Sequence, residues 1–436
     1  MELTVEALEH HWLPFTNNRD FKRTPRLLVR ASGMYYWNQA GQKILDGSSG
    51  LFTSAAGHCR PEIALAVARQ LQELDFAPSF MRAHPGSFAL ADGIAELTPP
   101  DLKHVFFCNS GSEAIDTAIK IALAYHVARN EAQRTYLISR ERAYHGVNIG
   151  GTALGGMVRN REAFGALMPA ILHMRHTLLP ENRMTRGMGA RGAELADDLL
   201  RFVQLVGEKR IAAVFIEPIA GSTGVLVPPR GYLERIREIC DRYGILLVFD
   251  EVICGFGRTG QPFAAISYGV TPDLITMAKA LTNGAQPMGA VAVRDSIYRT
   301  IVEEAPAGAT EFFHGYTYSA HPAACAAALA TLKIYENERL FAKGRELSGY
   351  FLDAMFALQD LAVVSDVRGD GLLAGVEVKC GKAPGARGME LQGKLFDRGL
   401  HVKTTGDCAI VAPAFIASRA EIDEMSAILR DALAEY

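Results

Sequence analysis

The chain has 436 residues, 49% of them hydrophobic and 21% charged, which suits a large buried core and excludes a disordered or fibrous protein. A formal net charge of −3 leaves no basic footprint for nucleic acid, and no Lys/Arg run or basic amphipathic helix points to a membrane partner. The start, MELTVEALEHHWLPF, lacks the basic end and apolar core of a secretory signal, and seven scattered cysteines without a C-x-x-C pair fit reduced thiols, so a cytosolic protein is expected.

From about residue 60, strand and helix patterns alternate. Residues 61–74 carry Ile63, Val67, Ala68 and Leu71 on one helical stripe. HVFFC (104–108) reads as a strand and 113–128 as a helix. TYLIS (135–139), IAAVFIEP (211–218), ILLVFDE (245–251) and LITMA (274–278) read as further strands. A helix over Tyr232–Tyr243 separates two of them and ends at Gly244. Strands this apolar, divided by helices, predict an α/β unit whose mainly parallel sheet is covered on both faces. Towards the end, VRGDGLLAGVEVK (367–379) reads as a strand pair turning at 369–371, followed by helices over 390–398 and 421–435. The expected organisation is a large domain over 61–325 and a smaller α+β domain over 326–436, joined by the N-terminal segment 1–60. His173 and His176 form H-x-x-H without an acidic or cysteine partner nearby, so no metal site is expected.

The stretch ILLVFDEVICGFGRTG (245–260) admits three readings. As a dinucleotide fingerprint, GFGRTG needs a helix opening within the glycines and a ribose-binding acid about 20 residues on. Gln261-Pro262-Phe263 is a poor helix opening, and the acid is missing. As the magnesium strand of an ATPase, it needs a phosphate loop ending in Lys-Ser/Thr. The nearest match, Gly388 to Lys394, continues with Leu395 and reads as helix.

The third reading makes Asp250 the partner of a cofactor ring nitrogen. TPDLITMAKALTNG (271–284) delivers Lys279 at the end of the next buried strand, where α/β folds build their sites. Desolvation there would depress the lysine pKa and make its amine nucleophilic, although a lysine snorkelling at a sheet edge has the same pattern. Ser110, Gly111 and Ser112 stand between a strand and a long helix, offering an anion cradle, or simply an N-cap at Ser112. Tyr144 follows the TYLIS strand, where it could lie flat on a ring or merely pack. A carboxylate, a lysine, a phosphate cradle and an aromatic are what pyridoxal phosphate requires: the lysine for its Schiff base, the acid for its pyridinium.

These residues resemble the class III, fold-type-I pyridoxal-phosphate aminotransferases, and within them the ω-amino acid–pyruvate (β-alanine–pyruvate) enzymes. The likeness runs through HWLPFTNNRDFK (11–22), SGLFTSAAGH (49–58), FFCNSGSEAIDTAIK (106–120) and AYHGVN (143–148). It continues through EPIAGSTGVLVPPRGYL (217–233), PDLITMAKALTNGAQPMGA (272–290), FFHGYTYSAHPAACAA (312–327) and APAFIASRAEIDEM (412–425). The resemblance implies that Lys279 and Asp250 are catalytic, that Ser110, Gly111 and Ser112 bind phosphate, and that Tyr144 stacks on the ring. It adds His145, Glu217 and Val252 around the cofactor, with Glu217 ordering the site without touching substrate. Thr317, which local chemistry alone would read as a helix cap, is implied to complete the phosphate site of a neighbouring subunit. A homodimer with shared active sites follows, with pairing of dimers into a tetramer left open.

For the substrate, the resemblance matches Arg419 to the family's carboxylate-binding arginine. It follows Ser418, which forms a capping box with Glu421, and a cation in a first helical turn opposes the macrodipole. Ser222 stands where related ornithine and γ-aminobutyrate enzymes carry a glutamate gating that arginine, which leaves Arg419 free for a small keto acid such as pyruvate and able to move aside when an ω-amine substrate puts a tail there. Phe52 replaces the tryptophan of the SGLW-type motif; with Phe15 and Tyr144 it is expected to wall the pocket over the substrate's far end. The amine donor is left open among β-alanine, longer ω-amino acids, taurine and polyamines. An aminomutase, racemase or decarboxylase on the same cofactor, and a nucleotide-binding protein using GFGRTG, are the rival readings.

Overall fold

A computed structural model describes residues 6–436; residues 1–5, which open both the N-terminal segment and the start read as lacking a signal, lie outside the described residues. Strands β1 (Leu28–Ser32), β2 (Tyr35–Asn38) and β3 (Lys43–Asp46) form an antiparallel meander near the N-terminus. The central sheet is built from β4 (Leu102–Cys108), β5 (Tyr136–Arg140), β6 (Ile171–Met174), β7 (Ile211–Ile216), β8 (Leu246–Asp250), β9 (Leu274–Met277) and β10 (Gly289–Arg294). Its order is β4-β10-β9-β8-β7-β5-β6. Strand β10 is antiparallel to both neighbours, and the remaining pairs are parallel, so every strand except β10 runs the same way. The sheet is therefore mixed but mainly parallel, as expected.

Every residue of β7, β8 and β9 is buried. Helices on both faces remove these strands from water, which is why they read as unbroken apolar runs rather than alternating ones. Strands β6 and β10 were not apparent in the sequence. One is a half-buried four-residue edge, and the other, GAVAVR, is made largely of small residues that carry little strand signal.

The small unit contains β11 (Val364–Asp370), β12 (Leu373–Val378), β13 (Leu400–His401), β14 (Lys403–Thr405) and β15 (Cys408–Val411). Its sheet has the order β11-β12-β15-β14, while β13 pairs in parallel with β3 and so stitches the N-terminal meander to the C-terminal unit. The hairpin anticipated at 367–379 forms, with Gly371 at φ +61; a Cβ there would land 2.1 Å from the Arg258 carbonyl oxygen. The boundary expected at 325/326 falls inside the helix Pro322–Asn337, which packs on the helices Pro61–Glu73 and Pro85–Leu97 of the large unit. A cut there would divide a continuous, packed helix. We propose that the joint lies at 338–339, where Arg339 turns to φ +53 before the helix Leu340–Phe356.

GFGRTG is a buried structural turn. Gly257 takes φ +114 against Phe415 and Phe341, and Arg258, 1% exposed, donates to Pro413 O at 2.6 Å and Ser49 Oγ at 2.9 Å. No helix opens inside the glycines; the next one, Ala264–Ser267, has its first amides held by the buried Glu251 carboxylate at 2.6 and 2.8 Å. The dinucleotide reading fails for this reason.

Candidate active site

The parallel strands end together along one edge of the sheet, and all but β6 deliver a polar group to that edge. Asp250 is the last residue of β8, Glu217 follows β7, Lys279 comes two residues after β9, and Tyr144 and His145 follow β5. Strand β4 hands over to Ser110, Gly111 and Ser112. A cavity of 180 Å³ gathers these groups: Gly111, Ser112, Tyr144, His145, Glu217, Ser222, Asp250, Val252 and Lys279 all line it.

The helix Gly111–Ala128 begins two residues earlier than its apolar pattern suggested. Ser110, not Ser112, is the N-cap, its hydroxyl accepting from Glu113 N at 3.2 Å. That releases Ser112, whose hydroxyl accepts from Val147 N at 3.0 Å. The amides of Gly111 and Ser112 lie in the first helical turn, where N–H groups have no intrahelical acceptor and the helix dipole favours an anion. A Cβ at Gly111 would meet Val252 at 3.0 Å; one at Gly146, which takes φ +93, would meet the Ser112 hydroxyl at 2.4 Å. The glycines thus keep this cradle open.

Asp250 is 6% exposed and fully engaged on its protein side. Its Oδ2 lies 2.8 Å from His145 Nδ1, while Oδ1 accepts from Val252 N and Thr276 Oγ1, each at 3.2 Å. His145 in turn sets Nε2 3.0 Å from Ser139 Oγ. Glu217 accepts from Tyr144 N at 3.0 Å, and burial, aided by the neighbouring Asp250, pushes its carboxyl up to about 7. Burial lowers the Lys279 ammonium to about 8, against the attraction of Asp250 and assisted by repulsion from Lys403. Lys279 also takes φ +50, a left-handed backbone costing a non-glycine residue on the order of 1–3 kcal/mol. Asn283 anchors this turn: its side chain bonds Ala56 N and Gly57 O, each at 2.8 Å, tying it to the segment that carries Phe52.

The other expected residues divide. Phe52 is 2% exposed, with the Lys279 Nζ 5.8 Å from its ring centroid. Phe15 is 79% exposed, and neither it nor Phe52 lines the cavity; of the three expected wall residues, Tyr144 alone does. Thr317 is likewise exposed and outside the cavity of its own chain. Arg419 is not brought to the site. It is exposed at the first turn of the helix Arg419–Leu433, its guanidinium 4.9 Å over the Tyr350 ring, with the anticipated Ser418–Glu421 capping box intact. The cation that does approach is Lys403, whose Nζ lies 5.8 Å from the same Phe52 centroid as Lys279. Nothing local marks it in the sequence; only the docking of β14 brings it there.

The description "Aminotransferase class-III" belongs to the family model that matches residues 16–433. The chain is a class III aminotransferase. It is therefore a pyridoxal-phosphate-dependent transaminase, and the residues present suit that cofactor: a phosphate cradle kept open by glycines, an acid and a lysine of lowered pKa all line one cavity. The transaminase is 52% identical to an ω-aminotransferase of Caulobacter vibrioides, over 98% of each chain. It is 48% identical to a β-alanine–pyruvate aminotransferase of Pseudomonas aeruginosa, over 99% of this chain and 96% of the relative. Among solved structures, the ω-transaminase of Pseudomonas jessenii in complex with PMP superposes with a TM-score of 0.93 at 31% identity, covering 100% of this chain and 98% of that one. Among the described residues, no helix is long and apolar enough to cross a membrane.

Proposed function

We propose that this transaminase moves the amino group of an ω-amino acid of the β-alanine type to pyruvate, giving a semialdehyde and alanine. The observation that carries the reading is the joint placement of Lys279 and Asp250 in one small cavity at the strand ends. The names of the ω-aminotransferase and β-alanine–pyruvate relatives support the substrate class. Lys279 is the residue that attaches the cofactor, and Ser110, Gly111, Ser112, Tyr144, His145, Glu217 and Val252 hold or order it. When bound, pyridoxal phosphate supplies an aldehyde for the amino group and a ring that takes up the electron pair released at the substrate carbon.

The protein's own part is protonic and electrostatic. Asp250, bonded to His145, would face the cofactor's ring nitrogen and favour its protonated form. Lys279, with its pKa drawn down by burial, would attach the cofactor and, once freed, serve as the base and then the acid for the substrate-carbon proton. The Ser139–His145 contact fixes the imidazole so that Nδ1–H points at Asp250. Ser222, 5% exposed, lines the cavity with a short neutral side chain, leaving room for a small keto acid.

A homodimer fits the surface. Phe80, Met81 and Phe313 are 61%, 92% and 97% exposed; Phe80 packs beside Gly315, and Phe76 meets Tyr318 edge-on. An apolar patch of this kind calls for a partner, and it adjoins Thr317, which would reach a second subunit's phosphate site. All seven cysteines are unpaired, five of them buried, which suits work in the reducing cytosol.

The test is spectroscopic and kinetic. β-Alanine should bleach the yellow holoenzyme, pyruvate should restore the colour, and alanine should form in equal amount. A holoenzyme that β-alanine bleaches but pyruvate does not recolour would remove pyruvate as acceptor.

A further inference from the structure

The turn that presents Lys279 is short and strained. Lys279 and Asn283 both take left-handed backbones, at φ +50 and +52, around the four-residue helical turn Lys279–Thr282. Non-glycine residues persist in that region only where the surroundings over-determine them. Asn283 closes the turn from one side through Ala56 and Gly57, and Thr282 Oγ1 donates to Gln286 O at 2.6 Å. A further hold reaches in from a distant element: Tyr335 Oη donates to Ala280 O at 2.6 Å, one residue beyond the lysine and 55 positions back along the chain from the tyrosine.

Tyr335 stands on the helix Pro322–Asn337, which packs on this turn. It is 2% exposed, and its ring lies among Phe341, Phe256 and Phe415, with centroids 5.2, 6.4 and 6.4 Å away. A ring packed in this way cannot follow a moving carbonyl. Burial pushes the phenol above its usual range, so the hydroxyl stays a donor through the working pH range. The Ala280 carbonyl already accepts from Asn283 N at 3.2 Å, so the tyrosine is not needed to rescue an unpaired buried oxygen. The shorter bond instead ties the turn to a fixed point outside it.

We propose that Tyr335 is a positioning residue for Lys279: its hydroxyl, fixed by the packing of the ring, holds the strained turn that keeps the amine in the cavity with Asp250. The inference rests on the reading above, in which Lys279 attaches the cofactor. An amine displaced by about an ångström loses its approach to the reacting atoms and part of the desolvation that keeps it nucleophilic.

The test compares wild type with Tyr335→Phe, which keeps the ring and its packing, and with Thr331→Val. The second variant removes another buried hydroxyl of the same helix, one bonded to Ala327 O at 2.8 Å within that helix. Three readouts are taken: the pH profile of pyridoxal phosphate uptake by apoprotein, kcat and KM of the holoenzyme with β-alanine and pyruvate, and Tm. In Tyr335→Phe the uptake profile should level off at a higher pH than the wild type's value of about 8. Its kcat should fall about tenfold, with the β-alanine KM within about twofold. Thr331→Val should lose a similar amount of Tm and keep the wild-type profile and kcat. An unchanged profile and kcat in Tyr335→Phe overturn the proposal. So does an equal loss of kcat in both variants, the mark of a general structural role. Borohydride reduction of wild-type holoenzyme separates the two possible failures. Cofactor found on a peptide other than that of Lys279 sinks the reading above and this inference with it; cofactor on Lys279 with unchanged Tyr335→Phe profiles sinks this inference alone.

Discussion

Two lysines converge on Phe52, and the molecule delivers them by different means. Lys279 comes from the end of a wholly buried parallel strand, through a strained turn locked by Asn283, into a cavity whose depth lowers its pKa to about 8. Lys403 comes from a three-residue edge strand of the small unit, half-buried, held in place by Ser48 across the seam between units. The first position is rigid and desolvated, as a nucleophile and proton carrier requires. By accessible surface both side chains are only partly buried, and burial lowers both ammonium groups, Lys279 to about 8. The contrast is one of delivery: one lysine comes from a strand end of the central sheet, the other from an edge strand of the smaller unit.

The largest effect that would break this contrast lies at Lys279. Lys279→Ala should lower kcat by roughly 10²- to 10⁴-fold through lost proton transfer alone, measured with β-alanine and pyruvate. A loss of only a few-fold would move the chemistry elsewhere. Asp250→Asn comes next, with roughly 10²- to 10³-fold lost from kcat because a preorganised charge is removed, while the fold is retained.

The pH dependence sharpens the difference between the two lysines. Only the free amine of Lys279 is nucleophilic, so the rate of pyridoxal phosphate uptake by apoprotein should climb about tenfold per pH unit and level off above about 8. The linked stability has a definite sign. Between about 8 and the ordinary value of 10.5 the unfolded chain holds a proton that the folded one has released, so this group's contribution to stability rises with pH over that window. Below about 8 its penalty is constant. Subtracting the stability profile of apo Lys279→Met from that of the wild-type apoprotein should isolate this rise; a flat difference would contradict the buried amine.

Smaller effects probe the cradle and the surface. Gly146→Ala places a methyl on the Ser112 hydroxyl at φ +93 and should cost about 1–3 kcal/mol, seen as a lower Tm and weaker retention of the cofactor. The smallest effect is expected at Arg419, exposed and stacked on Tyr350: Arg419→Ala should change stability by no more than about 0.5 kcal/mol and leave the β-alanine KM within about twofold. A large rise in that KM would show that Arg419 swings in to receive the substrate carboxylate.

The parts that chain order alone settled are those governed by local periodicity and by strand ends. Apolar runs over 211–218, 245–251 and 274–278 mark buried parallel strands, and a parallel sheet must present its C-terminal edge as one site, so Asp250, Lys279 and Glu217 are legible before any coordinates exist. The start of the helix at Gly111 was less legible, because Ser110 and Ser112 are equally good caps by composition. Only the approach of Val147 decides which hydroxyl is engaged elsewhere. Arg419 shows the limit most clearly. Its capping box was correctly read from S-x-x-E, yet the direction of its side chain depends on Tyr350, 69 positions away along the chain. Lys403 has no local signature at all: an isolated lysine near a short polar strand looks like any solvated residue, and it reaches Phe52 only when the small sheet docks against Ser48. Local patterns determine which elements form and which strand ends carry chemistry, because those depend on neighbours within a few residues. Which distant charge approaches Phe52 is set by the packing of separate units, and a linear pattern does not encode that directly.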